Sequence, residues 1–203
     1  EVLPWMDCCM NGAASWPECS RPTYSKQEVS FGEDNSLKSS LYASEGNGVG
    51  VFFFYKGLSE EDVKNAMSVV YTPNTKANFI FLPCDLTEKS AEAWIETYTR
   101  KYSMSSKAVV AFREAGEDAV ELRNNFVWIA LADAFVPEFE TEEDQKWYFA
   151  QTDDSPFYLG MDNLYRSCKR SGATFEYRVI DGSGNAAEDR LRELSKLKSY
   201  LTY

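Results

Sequence analysis

From residue 49 onward, short unbroken apolar runs alternate with stretches whose apolar residues recur at helical spacing. Val49–Tyr55 (VGVFFFY) is β-prone and apolar on both faces, which predicts a central strand covered from both sides. Gly57 breaks the run. Ser59-Glu60-Glu61-Asp62 has capping-box spacing, and Val63, Ala66, Met67 and Val70 then follow at helical intervals. Phe79–Leu82 predicts a second buried strand, closed by Pro83. Thr87 can cap a helix whose apolar face carries Ala91, Trp94, Ile95, Tyr98 and Tyr102. Ala108–Phe112 (AVVAF) predicts a third strand.

Strand, helix, strand, helix, strand over residues 49–112 argues for a parallel sheet with right-handed crossovers. An apolar helix is expected through Phe126, Trp128, Ile129 and Leu131 to about Phe135, stopped by Pro137. Residues 133–154 carry eight acids against one lysine and read as an acidic insertion. A helix from Tyr158 to Arg170 ends at Gly172. Thr174–Ile180 (TFEYRVI) alternates, as an edge strand with one exposed face does. Gly182-Ser183-Gly184 turns the chain. Asn185 and Glu188 can cap a last helix with Leu191, Leu194, Leu197 and Leu201 on one face.

The expected fold is therefore α/β: a three-layer, mostly parallel sheet with helices on both faces, spanning 49–203 as a single domain. Residues 1–48 hold Pro4, Pro17, Pro22 and several Gly, Ser and Asn without a sustained period. They read as an irregular arm lying across the domain or a partner.

Composition narrows the chemistry. The chain of 203 residues has no histidine, which excludes a Ser-His-Asp triad, a Cys-His dyad and an imidazole pH switch. A formal charge of −11 disfavours nucleic acid and anionic membrane as partners and favours a protein with a basic surface. No run of ~18 apolar residues, the length a membrane helix needs, is present. Three of the five cysteines, Cys8, Cys9 and Cys19, cluster near the start, and either of the first two can bridge to the third. Such a disulfide, with Glu1 in place of an initiator Met, suggests a leader-processed chain in an extracytoplasmic or organellar compartment. The cluster lacks zinc-ligand spacing. Glu138–Asp144 and Asp153-Asp154 lack the glycine of an EF-hand loop, so no metal and no cofactor is expected.

Three sites invite chemistry. Cys84 follows a buried strand near a helix start, where ligands bind in open α/β sheets and where a thiol is acidified. Tyr165 and Lys169 have Tyr-x-x-x-Lys spacing. Acidic residues interleaved with Phe139, Trp147 and Tyr148 suit a docking patch, as do Trp5, Met6 and Trp16 in the arm. The Gly182-x-Gly184-x-x-Ala187 pattern lacks the second strand of a dinucleotide fingerprint and reads as a turn before a capped helix.

Residues 79–116 resemble the middle of a short-chain dehydrogenase, through the strand ending in Cys84-Asp85-Leu86-Thr87, the helix to Tyr102 and the strand 108–112. In that family the Tyr donates a proton and the Lys lowers its pKa, so the resemblance implies those roles for Tyr165 and Lys169. Arg113-Glu114-Ala115-Gly116 stands where that family has Asn-Asn-Ala-Gly, and no Gly-rich phosphate loop adjoins Val49–Tyr55. The order also resembles a thioredoxin-like start without its Cys-x-x-Cys. The leading expectation is a non-catalytic interaction or assembly protein, a subunit of a larger complex. A divergent oxidoreductase of either resemblance is the alternative.

Overall fold

The computed structural model describes residues 24–31, 37–44, 48–59, 61–63, 77–84 and 88–197. Its eight strands are β1 (Tyr24–Phe31), β2 (Leu37–Ser44), β3 (Val49–Tyr55), β4 (Ala77–Pro83), β5 (Ser106–Arg113), β6 (Trp128–Ala134), β7 (Lys146–Thr152) and β8 (Thr174–Ile180). The helices are α1 (Glu88–Lys101), α2 (Gly116–Glu121), α3 (Tyr158–Ser171) and α4 (Ala186–Leu194). Residues 61–63 are also helical, opened by Ser59, whose Oγ accepts from the Asp62 N–H at 3.1 Å. None of the described helices is long and apolar enough to cross a membrane.

One sheet runs in the order β1-β2-β4-β3-β5-β6-β7-β8. The six strands from β4 to β8 pair in parallel, while β1 with β2 and β2 with β4 are antiparallel. Two-residue alternation sends successive side chains to opposite faces. Phe52, Phe54, Val109, Ala111, Ile129, Leu131, Trp147 and Phe149 join one core. That core is covered by Ile95 and Tyr98 of α1, Ala119 and Val120 of α2, and Met161, Leu164 and Cys168 of α3. Val51, Phe53, Val110, Phe112, Ala130, Ala132, Tyr148 and Ala150 join the other, under Val63, Leu194 and Leu197. The three-layer α/β expectation is what the structure has. β8 lies at the edge, and α3 ends at Gly172, whose φ of 78° is the left-handed cap.

Four readings are corrected. Within the stretch taken as an irregular arm, residues 24–31 and 37–44 form an antiparallel strand pair, which extends the sheet. The helix expected over 126–135 is strand β6, preceded by the short α2 and a single 3-10 turn at Arg123–Asn125. Trp128 to Ala132 is apolar at every position, and a short apolar run buried on both faces looks the same as a buried helix by periodicity. The acidic insertion over 133–154 contains β7, a buried strand between β6 and β8. Trp147 and Tyr148 are both 0% exposed and belong to the core rather than a docking patch. Phe139 is half-buried and stacks obliquely on Trp147, with ring centroids 5.4 Å apart. Trp5, Met6, Trp16, Cys8, Cys9 and Cys19 lie outside the described residues.

Candidate active-site cleft

The C-terminal ends of the parallel strands form the edge where open α/β sheets bind ligands. A sharp turn on this edge follows β5. Arg113, its last residue, has φ 51°. The Ala115 N–H donates to the Phe112 carbonyl at 3.1 Å, and the Ala119 N–H to the Ala115 carbonyl at 3.2 Å, so the strand passes into α2 within three residues. Gly116 makes this possible: a Cβ there would lie 2.3 Å from the Phe135 carbonyl oxygen. Arg113 is thus lifted out of the sheet and stands at its top, with its side chain 35% exposed.

Below it lies a cleft of about 220 Å³ lined by Arg113, Asp133, Asp154, Ser155, Arg190 and Glu193, among others. The Arg113 guanidinium is 3.9 Å from the Asp133 carboxylate, 3.8 Å from that of Glu114 and 5.8 Å from the Phe157 ring centroid. Asp133 accepts a hydrogen bond from the Ser155 hydroxyl. Asp153 accepts from the Gly182 N–H at 3.0 Å, which ties the turn after β7 to the turn after β8. Asn185 opens α4, its Oδ1 accepting from the N–H groups of Ala187 and Glu188 at 3.1 and 3.4 Å. α4 carries Arg190 and Glu193 into the cleft wall.

Glu193 is 1% exposed, and its Oε2 has no hydrogen-bond partner among the described residues. Burial pushes its pKa up to about 9, reinforced by the charges of Asp133 and Asp189 and opposed by those of Arg190 and Arg113. It therefore carries its proton at neutral pH.

No protein-family model and no curated protein sequence matches the chain. Solved structures do. One titled a ferulic acid esterase is 12% identical, with TM-score 0.67 over 90% of this chain and 98% of its own. An arylesterase is 12% identical with TM-score 0.65, covering 97% and 91%. A putative carboxylesterase from Lactobacillus plantarum is 9% identical with TM-score 0.62, covering 87% and 96%. This chain has the α/β-hydrolase fold.

The fold overturns the leading functional expectation. The structures that share it are esterases, which are enzymes, and not non-catalytic subunits of an assembly. The short-chain-dehydrogenase resemblance fails on topology. Numbered in chain order, the first three parallel strands stand 2-1-3 (β4-β3-β5), whereas the dinucleotide-binding order is 3-2-1.

In α/β-hydrolases a Gly-x-Ser-x-Gly turn lifts the nucleophile to the top of the sheet, and an acid and a histidine follow in chain order. Ala111-Phe112-Arg113-Glu114-Ala115 occupies that turn here, so Arg113 stands where the serine would be. Acids follow at Asp133, Asp153 and Asp154. The next turn on this edge, 181–185, has no imidazole, and Asn185 there is the helix cap.

The residues singled out from sequence lie elsewhere. Cys84 is buried after β4, its Sγ donating to the Leu82 carbonyl at 3.7 Å. It belongs to the apolar core on one side of the sheet and is not among the residues lining the cleft. Tyr165 and Lys169 sit on α3, away from the strand C-termini. The Lys169 ammonium lies over the Tyr165 ring, 4.6 Å from its centroid, and that ring packs on Phe175 and Tyr177. The spacing thus makes a helix-surface cation–π pair. Sequence reasoning did not single out Arg113, Asp133 or Glu193, and weighed Asp154 only as a metal ligand. The visible signal was the abrupt Arg-Glu-Ala-Gly step between a buried strand and a helix.

Proposed function

We propose that this chain binds a small acyl compound, a monocarboxylic acid or its ester, in the cleft, with the Arg113 guanidinium meeting the carboxyl oxygens. The observation that carries this reading is the position of Arg113 on the raised turn of an esterase fold. A guanidinium presents a planar fork of donors that matches a carboxyl group. Its contacts to Asp133 and Glu114, at 3.9 and 3.8 Å, are longer than the ~2.7–2.9 Å of charge-assisted hydrogen bonds, so its donors are available to a ligand. Asp133, Asp154 and Asp189 outnumber Arg113 and Arg190 around the cleft, which disfavours phosphate and other polyanions. A cleft of about 220 Å³ is smaller than the ~300–1,000 Å³ of drug-sized pockets, so the ligand is small.

Arginine is always protonated and cannot attack a carbonyl, so an acyl-enzyme at position 113 is ruled out. The retained proton of Glu193 favours a second reading, hydrolysis by direct water attack. Asp154 would take a proton from water as its oxygen bonds to the ester carbon. Arg113 would stabilise the oxyanion, and Glu193 would protonate the departing alkoxide.

Calorimetric titration of the full chain with propanoate, benzoate and inorganic phosphate tests the first reading. Saturable binding of the carboxylates, lost in Arg113→Ala and not seen with phosphate, is expected. Carboxylate binding unchanged by Arg113→Ala overturns it. Release of p-nitrophenol from p-nitrophenyl acetate that disappears in Glu193→Gln and Asp154→Asn establishes the second.

A further inference from the structure

Glu193 is the least explained polar group in the cleft. It is 1% exposed, yet its Oε2 meets no partner among the described residues. A buried polar atom left unpaired costs free energy, which an apolar side chain of the same length would avoid. Its own backbone carbonyl is engaged by the Tyr148 hydroxyl and by Arg178, separately from the side chain. Glu193 is also among the residues that line the same small cleft as Arg113 and Arg190.

We infer that the ligand is a 2-hydroxy or 2-oxo carboxylic acid, its carboxylate held by Arg113 and its neighbouring hydroxyl or carbonyl oxygen held by the Glu193 carboxyl. This rests on the acyl-compound reading above and adds a second point of recognition to it. The chemistry of the pair is complementary. Arg113 offers only donors to charged oxygens. A protonated Glu193 offers one O–H donor and one carbonyl acceptor, which satisfies either a ketone or an alcohol. A second carboxylate on the ligand would meet Asp133 and Asp189 instead and be repelled. Arg113 and Glu193 line the same small cleft, so one small ligand can meet both.

The test is titration of the full chain with propanoate, lactate and pyruvate, which share one carbon skeleton. Lactate or pyruvate is expected to bind about tenfold more tightly than propanoate, the worth of one well-made hydrogen bond. Glu193→Gln, which keeps a donor and an acceptor, is expected to retain most of that preference. Glu193→Met is expected to abolish it, so that the three acids bind alike. Equal binding of the three acids overturns the inference and leaves the acyl-compound reading standing. Binding of none overturns both. A preference that survives in Glu193→Met assigns it to another residue and overturns the role of Glu193. Infrared difference spectra decide the matter should the Met variant fail to fold. The protonated-carboxyl band lost in Glu193→Gln must shift on adding lactate and stay put on adding propanoate; an unmoved band overturns the contact.

Discussion

The guanidinium of Arg113 stands 3.9 Å from the carboxylate of Asp133, and both residues hold left-handed backbone, with φ 51° and 45°. They end two adjacent strands whose register slips at this level, so that Arg113 pairs with Ala134 and not with Asp133. The slip turns both side chains out of the sheet toward the same cleft. Asp tolerates this conformation because its short side chain can bond locally; Arg does not share that advantage. A strained residue on a functional edge is where stability is traded for geometry.

Arg113→Gly and Arg113→Ala separate the strain from the charge. Both lose the guanidinium, whose exposed, long-range ion pair contributes about 0–1 kcal/mol. Only Gly also relieves the positive φ, a conformation that costs a side-chain-bearing residue about 1 kcal/mol or more. Urea unfolding is expected to show Arg113→Gly more stable than Arg113→Ala by about 1 kcal/mol, with neither binding propanoate. Equal midpoints would place the turn in an unstrained conformation.

The proton on Glu193 sets the pH dependence. An ordinary glutamate loses its proton near pH 4.5, whereas the folded chain keeps this one to about 9. Between those values the folded state binds more protons than the unfolded state, so stability falls as pH rises. One retained proton gives a slope of at most about 1.4 kcal/mol per pH unit. Asp118, held up to about 6 by burial against the opposing charge of Lys56, adds the same sign at the acidic end of that window. Glu193→Gln is expected to flatten the curve between pH 6 and 9 and to raise the melting temperature most at pH 8 to 9. A wild-type curve that rises across that window would show Glu193 ionised in the folded chain.

The sheet was legible because its central strands announce themselves. Val49–Tyr55 recurs in the structure with the same limits, and Ala108–Phe112 falls within β5. The caps at Ser59, Gly172 and Asn185 were legible for the same local reason. β6 was not, because Trp-Ile-Ala-Leu-Ala satisfies helix propensity and only its neighbours β5 and β7 make it a strand. The cleft was harder still. Arg113, Asp133 and Glu193 are brought together by strand order and a register slip, which no local pattern encodes. The turn after β5 reads Ala111-Phe112-Arg113-Glu114-Ala115, which matches no Gly-x-Ser-x-Gly pattern.

Asn185 connects the stability of α4 to the cleft. Its side chain satisfies two of the four N–H groups that a helix start leaves open. Asn185→Ala is expected to cost about 1 kcal/mol in urea unfolding, within the usual range for a lost cap. Because α4 carries Arg190 and Glu193, the same variant is expected to weaken ligand binding without touching the ligand. Asn185→Asp, which keeps the acceptor and adds a charge favourable at a helix N-terminus, is expected to restore both. A variant that loses the stability but binds as before would uncouple the cap from the cleft.

Trp147 distinguishes core from contact surface. It is fully buried on β7 between Ile129 of β6 and Phe175 of β8, with Phe139 closing over it. Replacing it with Ala leaves a large cavity and is expected to cost about 3–5 kcal/mol. Replacing it with Phe removes less volume and also removes the indole Nε1, which has no hydrogen-bond partner among the described residues. That donor already costs the native fold free energy, so Trp147→Phe is expected to lose much less than the difference in buried area suggests. Urea unfolding of the two variants is the check. A Trp147→Ala loss below about 1 kcal/mol, the level of an ordinary surface substitution, would put this side chain on the outside of the molecule.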